Sequence, residues 1–92
     1  MQKVPLEIVI PIYNEGEKVL KLLNEFEKIV NTKIRVLLCY DLDDDNVFNY
    51  ENHLKKCSFE VILVKNPLSG PCEAIKHGLN FGNSDCVIVF PA

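Results

Sequence analysis

Apolar and polar positions along this chain follow two alternating periods, and each switch between them marks an element. Leu6 to Ile12 is a β-branched run closed by Pro11, short enough for a buried strand. From Glu15 the period lengthens. Val19, Leu22, Leu23, Phe26, Ile29 and Val30 recur at helical spacing, with Glu17, Lys21, Glu25 and Lys28 on the wet side. Glu17 and Lys21 are spaced for an i,i+4 pair, and Asn31-Thr32 ends the helix. Ile34 to Tyr40 reads as a second strand, Asp41 to Asn46 as an acidic loop, and Val47 to Lys55 as a short helix with Val47, Tyr50 and Leu54 inward. Phe59 to Val64 is a third strand. A turn-rich segment with Asn66, Pro67, Ser69 and Gly70 leads into a helix starting near Pro71, where proline suits the first turn. Ala74, Ile75, Gly78 and Leu79 form its inner stripe, Asn83-Ser84 closes it, and Cys86 to Phe90 is a fourth strand.

Strands separated by helices are βαβ units, and such units build parallel sheets. The expected fold is therefore α/β and Rossmann-like, one domain over residues 1–92. Its four parallel strands run in the order 3-2-1-4, with right-handed crossovers placing helices on both faces. A glycine inside a helix costs about 1 kcal/mol against alanine, so Gly78 implies close packing on the sheet.

Composition narrows the partners. The chain is 48% hydrophobic and 25% charged with a net charge of −3, which suits a globular domain and argues against nucleic-acid and lipid-surface binding. No apolar run approaches the roughly 18 residues needed to cross a bilayer. Cys39, Cys57, Cys72 and Cys86 form no C-x-x-C pair and no metal-type spacing with His53 or His77, which points to reduced thiols in a cytoplasmic setting. Both histidines lie at helical positions without a partner in spacing, as surface or half-buried residues do.

Ligands of open parallel sheets bind beyond the carboxyl ends of the strands, where strand order reverses. Polar residues collect at those ends: Tyr13, Asn14 and Glu15, then Asp41, Asp43, Asp44 and Asp45, then Asn66, Ser69 and Gly70. The first loop has neither G-x-G-x-x-G nor the phosphate loop of nucleoside-triphosphate hydrolases. It offers a ring, Tyr13, that can lie on a nucleobase and a carboxylate, Glu15, that can accept from ribose or base donors. The plainer reading makes Asn14 an N-cap and lets Glu15 and Glu17 complement the helix dipole. Asp41, Asp43 and Asp45 match positions 1, 3 and 5 of a calcium loop. However, Asn46 replaces its glycine and Asn52 its bidentate glutamate, and a strand precedes the loop rather than a helix. Asn66 to Cys72 is similar to a phosphate-binding turn into a helix, without the paired glycines.

Three segments together resemble the inverting nucleotide-sugar glycosyltransferases of GT-A fold, the family of the polyprenyl-phosphate mannose and glucose synthases. E-I-V-I-P-I-Y-N-E (Glu7 to Glu15) is close to that family's opening strand and loop. V-L-L-C-Y-D-L-D-D-D (Val36 to Asp45) resembles a strand ending V-D-D-G-S-x-D, with Tyr40 and Leu42 replacing the first aspartate and the glycine. N-P-L-S-G-P-C-E-A-I-K-H-G-L and S-D-C-V-I-V-F-P-A resemble the third loop, helix and strand. The resemblance implies transfer of a sugar from a UDP- or GDP-linked donor. It implies Pro11, Tyr13 and Glu15 around the nucleoside, Asp41 on the base, and Gly70 letting the loop approach the donor. It assigns no catalytic or metal residue within these 92 positions. The aspartates holding Mg²⁺ or Mn²⁺ would follow a strand like Cys86 to Phe90, so the chain is expected to be a fragment without transferase activity of its own. A membrane-lipid acceptor and a parent attached at the cytoplasmic face are compatible with the family.

Two other classes compete. A nucleotidyltransferase-like enzyme would need a glycine-rich first loop, which is missing. A non-enzymatic regulatory α/β domain would use the acidic loop for a divalent cation. Finally, the fourth strand carries no charge to discourage edge pairing, so a homo-oligomer through residues 86–90 is expected.

Overall fold

The computed structural model describes residues 2–29, 33–67 and 70–91. The helix stop at Asn31-Thr32, the inward role of Val30, the loop residue Ser69 and the terminal Ala92 lie outside the described residues. Strands β1 (Leu6–Ile12), β2 (Ile34–Tyr40), β3 (Glu60–Lys65) and β4 (Cys86–Val89) form one sheet in the order β3-β2-β1-β4. Every pairing is parallel, with Ile8 beside Val36 on one side and Ile88 on the other. The α/β class, the parallel sheet and its order are those expected from the sequence. The boundaries of β3 and β4 differ by a residue, although the Phe90 amide still donates to the Val9 carbonyl at 2.9 Å.

Successive strand residues face opposite sides, and the core divides accordingly. Ile8, Ile10, Ile12, Val36 and Leu38 pack under helix α1 (Gly16–Ile29) and the short helix α2 (Glu51–Lys55), with Val19, Leu23, Phe26 and Leu54 as the covering side chains. Val9, Leu37, Cys39 and Val64 face helix α3 (Pro71–Phe81) through Ala74. Right-handed crossovers require this division. The first two step in one direction across the sheet, and the third steps back past β1 and must use the other face. The expected helix over Val47 to Lys55 divides into a 3-10 segment, Asn46–Tyr50, and α2; Val47 and Leu54 are buried and Tyr50 half-buried.

Two expected core residues are exposed, for one geometric reason. At 3.6 residues per turn, Ile29 lies roughly 80° around α1 from Val19, and Leu79 roughly 140° around α3 from Ala74. Ile29 is 70% exposed and Leu79 44%, while Leu22 and Ile75, nearer the stripes, are half-buried. Gly78 behaves as expected. A Cβ there would stand 2.6 Å from Val9 Cγ1 and 2.9 Å from Cys39 Sγ, so the helix rides directly on the sheet. Burial pushes the Cys39 thiol up to about 11.

One row of the α3 face is charged. Glu7, Arg35 and Glu60 are register partners on β1, β2 and β3. Glu7 is 0% and Arg35 1% exposed. Arg35 Nη1 donates to Glu7 Oε2 at 3.0 Å and to Asn83 Oδ1 at 3.0 Å, and its Nε donates to Glu60 Oε1 at 2.6 Å. Arg35 Nη2 also donates to the Gln2 carbonyl. The Ser84 amide donates to Glu7 Oε1 at 2.7 Å. Gly82 completes the lid, since a Cβ would reach 2.4 Å from Glu7 Oε1.

Burial pushes the Glu7 carboxyl up, but the Ser84 amide and Arg35 outweigh it and hold the group below its ordinary 4.5. A depressed folded value means the contribution is complete above 4.5 and is lost as pH falls through the folded value. Glu7→Gln is expected to cost about 3 kcal/mol, because it removes the buried partner charge of Arg35 and leaves only the half-exposed Glu60 carboxylate. Urea midpoints at pH 6 and pH 3 check both points: the wild type should lose stability between them, and the variant should lose less.

Candidate functional site

Each strand end on the carboxyl edge contributes one wall. β1 ends in Pro11 and Ile12, and the chain then turns through Tyr13 and Asn14. Asn14 has φ +52°, a left-handed conformation that asparagine tolerates better than most side chains. Tyr13 is left 59% exposed, and its amide donates to Glu15 Oε1 at 3.1 Å. That bond folds the Glu15 carboxylate back over its own turn. Asn14 does not cap α1. The Gly16 amide at the helix start donates instead to Oδ1 of Asn46, from the neighbouring loop, at 2.8 Å. Glu17 keeps its expected place in the first turn, 3.7 Å from Lys21.

In the loop after β2, Asp41, Asp43 and Asp45 each engage protein donors. Asp41 accepts from Asn66 Nδ2 at 2.8 Å and from the Gly70 amide at 3.0 Å, one donor on each oxygen. Asp45 is buried; its oxygens accept from the Asn14 amide at 2.8 Å and the Val47 amide at 2.9 Å. Asp43 is exposed and pairs with Lys65 at 3.0 Å, and Asp44 is exposed. Among the described residues, no three His, Cys, Asp or Glu side chains are placed to share a metal ion. The divalent metal implied by the glycosyltransferase resemblance therefore finds no fitting donor set among them.

The loop after β3 turns at Gly70, with φ +103°. A Cβ at Gly70 would meet nothing within 4 Å, so the backbone conformation, rather than crowding, is what calls for glycine. Its amide is occupied by Asp41, so the turn into α3 does not present that N–H to a phosphate.

These walls enclose a cleft of about 450 Å³ lined by Pro11, Ile12, Tyr13, Glu15, Asp41, Gly70, Pro71 and Ala74. All five candidate residues, Pro11, Tyr13, Glu15, Asp41 and Gly70, meet there. Among the described residues, its polar side chains are two carboxylates and a phenol, and no lysine, arginine or histidine lines it. Such a site suits a neutral ligand rich in hydrogen-bond donors and disfavours an anion in direct contact. His53 is exposed and His77 half-buried, each beside an aromatic ring away from this lining.

Sequence reasoning missed Asn46 and the tie between Asp45 and Asn14. An Asp-Asn pair immediately before an apolar helical segment is an N-cap signal, and Asp45 does cap the 3-10 segment through Val47. Nothing local could signal that the same two residues also grip a loop about thirty positions earlier.

Asp41→Ala would release both Asn66 Nδ2 and the Gly70 amide. We expect a loss of about 1–3 kcal/mol and faster hydrogen exchange at Gly70 and Ala74, with β1 and β2 amides unchanged. Asp44→Ala should change neither reading. Compared with known protein families, curated proteins and solved structures, the chain matches none of them.

Proposed function

We propose that the chain is the donor-nucleotide part of a GT-A type inverting glycosyltransferase, and that its cleft receives the nucleoside of a UDP- or GDP-linked sugar. The observation that carries this reading is the convergence of Pro11, Tyr13, Glu15, Asp41 and Gly70 on one cleft at the carboxyl edge of a parallel sheet. The exposed Tyr13 ring offers a stacking face, and two carboxylates accept from ribose hydroxyls or base N–H groups. A cytoplasmic setting belongs to the same proposal, and the four cysteines are unpaired. The rival reading, a regulatory domain closing its acidic loop on a cation, has less support because Asp41 and Asp45 already hold protein donors.

Titration of uridine, guanosine, UDP, GDP and Ca²⁺ against backbone amide spectra tests the proposal. We expect one nucleoside to shift Tyr13, Glu15, Asp41 and Gly70 with a millimolar Kd, about 4 kcal/mol of binding. EDTA should have no effect, and the diphosphate should add no affinity in its presence, since the described residues of the lining include no cation. Shifts confined to other regions, or none with any nucleoside, would overturn the reading. Shifts of the acidic loop with Ca²⁺ alone would favour the rival.

We also propose self-association through β4, which lies at a sheet edge with Ile88, Val89 and Phe90 exposed. Sedimentation should show a dimer or larger species that Ile88→Lys shifts toward monomer. A clean wild-type monomer at high concentration would count against it.

A further inference from the structure

The turn carrying Tyr13 and Glu15 is held by a neighbouring loop. The amide of Asn14 donates to Asp45 Oδ2 at 2.8 Å, its carbonyl accepts from Asn46 Nδ2 at 3.1 Å, and its side-chain oxygen accepts from the Asn46 amide at 3.0 Å. The same Asn46 side chain takes the Gly16 amide on its oxygen at 2.8 Å. Asn46 thus grips the chain on both sides of Glu15, from a loop that itself ends on the buried Asp45. The left-handed φ of Asn14 is a conformation that persists in a non-glycine residue when surrounding contacts determine it. Beneath the turn there is no slack, because a Cβ on Gly16 would stand 2.8 Å from the Tyr50 ring.

We propose that Asn46 is a positioning residue of the cleft: by clasping Asn14 and Gly16 it fixes the turn that aims Tyr13 and Glu15 into the ligand space. Asn46 does not line the cleft and acts only through its neighbours. The consequence for ligand binding rests on the nucleoside reading above, whereas the clasp itself is a property of the free protein.

Asn46→Asp separates the two jobs of the side chain. It keeps an oxygen for the Gly16 amide, at a helix start where negative charge is favourable. It also replaces the donor facing the Asn14 carbonyl with a second acceptor. We expect a melting temperature within about 3 °C of wild type, displaced amide resonances confined to Tyr13, Asn14, Glu15 and the Asp45–Val47 segment, and about tenfold weaker binding of whichever of uridine or guanosine the wild type takes. Asn46→Ala should lose the Gly16 acceptor as well and melt lower. Asn14→Gly, which accommodates the left-handed backbone, should retain more affinity than Asn14→Ala. Unmoved Tyr13 to Glu15 resonances in Asn46→Asp, or shifts spread evenly over the sheet, would overturn the proposal. A wild type that binds neither nucleoside would overturn the functional reading alone, because the resonances of the free variants still decide the clasp.

Discussion

The Arg35 guanidinium joins side chains and backbone from four separate parts of the chain. It touches carboxylates from β1 and β3, the Asn83 side chain after α3 and the backbone near the N-terminus. Two of these charges are sealed from water. Such a pair is weak evidence for net stability, because desolvation offsets much of the attraction. It does penalise alternatives. Slipping any of the three strands by one residue would turn its charge toward the apolar α1 face, and undocking the end of α3 would remove the Ser84 amide from Glu7. The parallel register and the seating of α3 are thus tied to one ionic row at the end of the sheet opposite the cleft.

At the carboxyl edge, tethering falls to the loop Asp41 to Asn46. Read by composition it is an acidic, solvated segment, yet its first and last residues are its most constrained. Asp41 reaches toward α3 and holds the loop after β3, while Asp45 and Asn46 reach the other way and hold the loop after β1. Only Asp43 and Asp44 face solvent as the composition suggests. The negative charge of the loop therefore serves mainly to accept backbone and amide donors, a use of carboxylates that spacing rules for metals cannot distinguish from ligation.

The fold was legible because its signals are periodic. Apolar runs of strand length between helical stripes determine a βαβ series, and handedness then limits where each helix can go. The margins of the stripes were less legible. Ile29 and Leu79 satisfy an i+3/i+4 count but drift off the buried face, an error that angles around the helix would have caught. Of the site, the five candidates did come together, because strand ends on one edge are neighbours in any parallel sheet of this order. What supports them was not legible. The partnership of Asn14 with Asn46 depends on how two loops cross in space, and neither residue signals the other. Gly70 lines the cleft as expected of a candidate, and its positive φ is a backbone constraint that the sequence did not reveal.

Surface loops ordinarily accept insertions and deletions at small cost, since closing a slightly longer loop adds little entropy. The loop after β2 should be an exception. Asp41 and Asp45 face opposite walls, and that divergence depends on the turn between them, where the Asp45 amide returns to the Leu42 carbonyl at 3.1 Å. One residue more or fewer would keep one tether and misdirect the other. In related sequences, length at this position should therefore vary less than identity at Asp43 or Asp44, making an exposed stretch of chain as intolerant of gaps as a core strand.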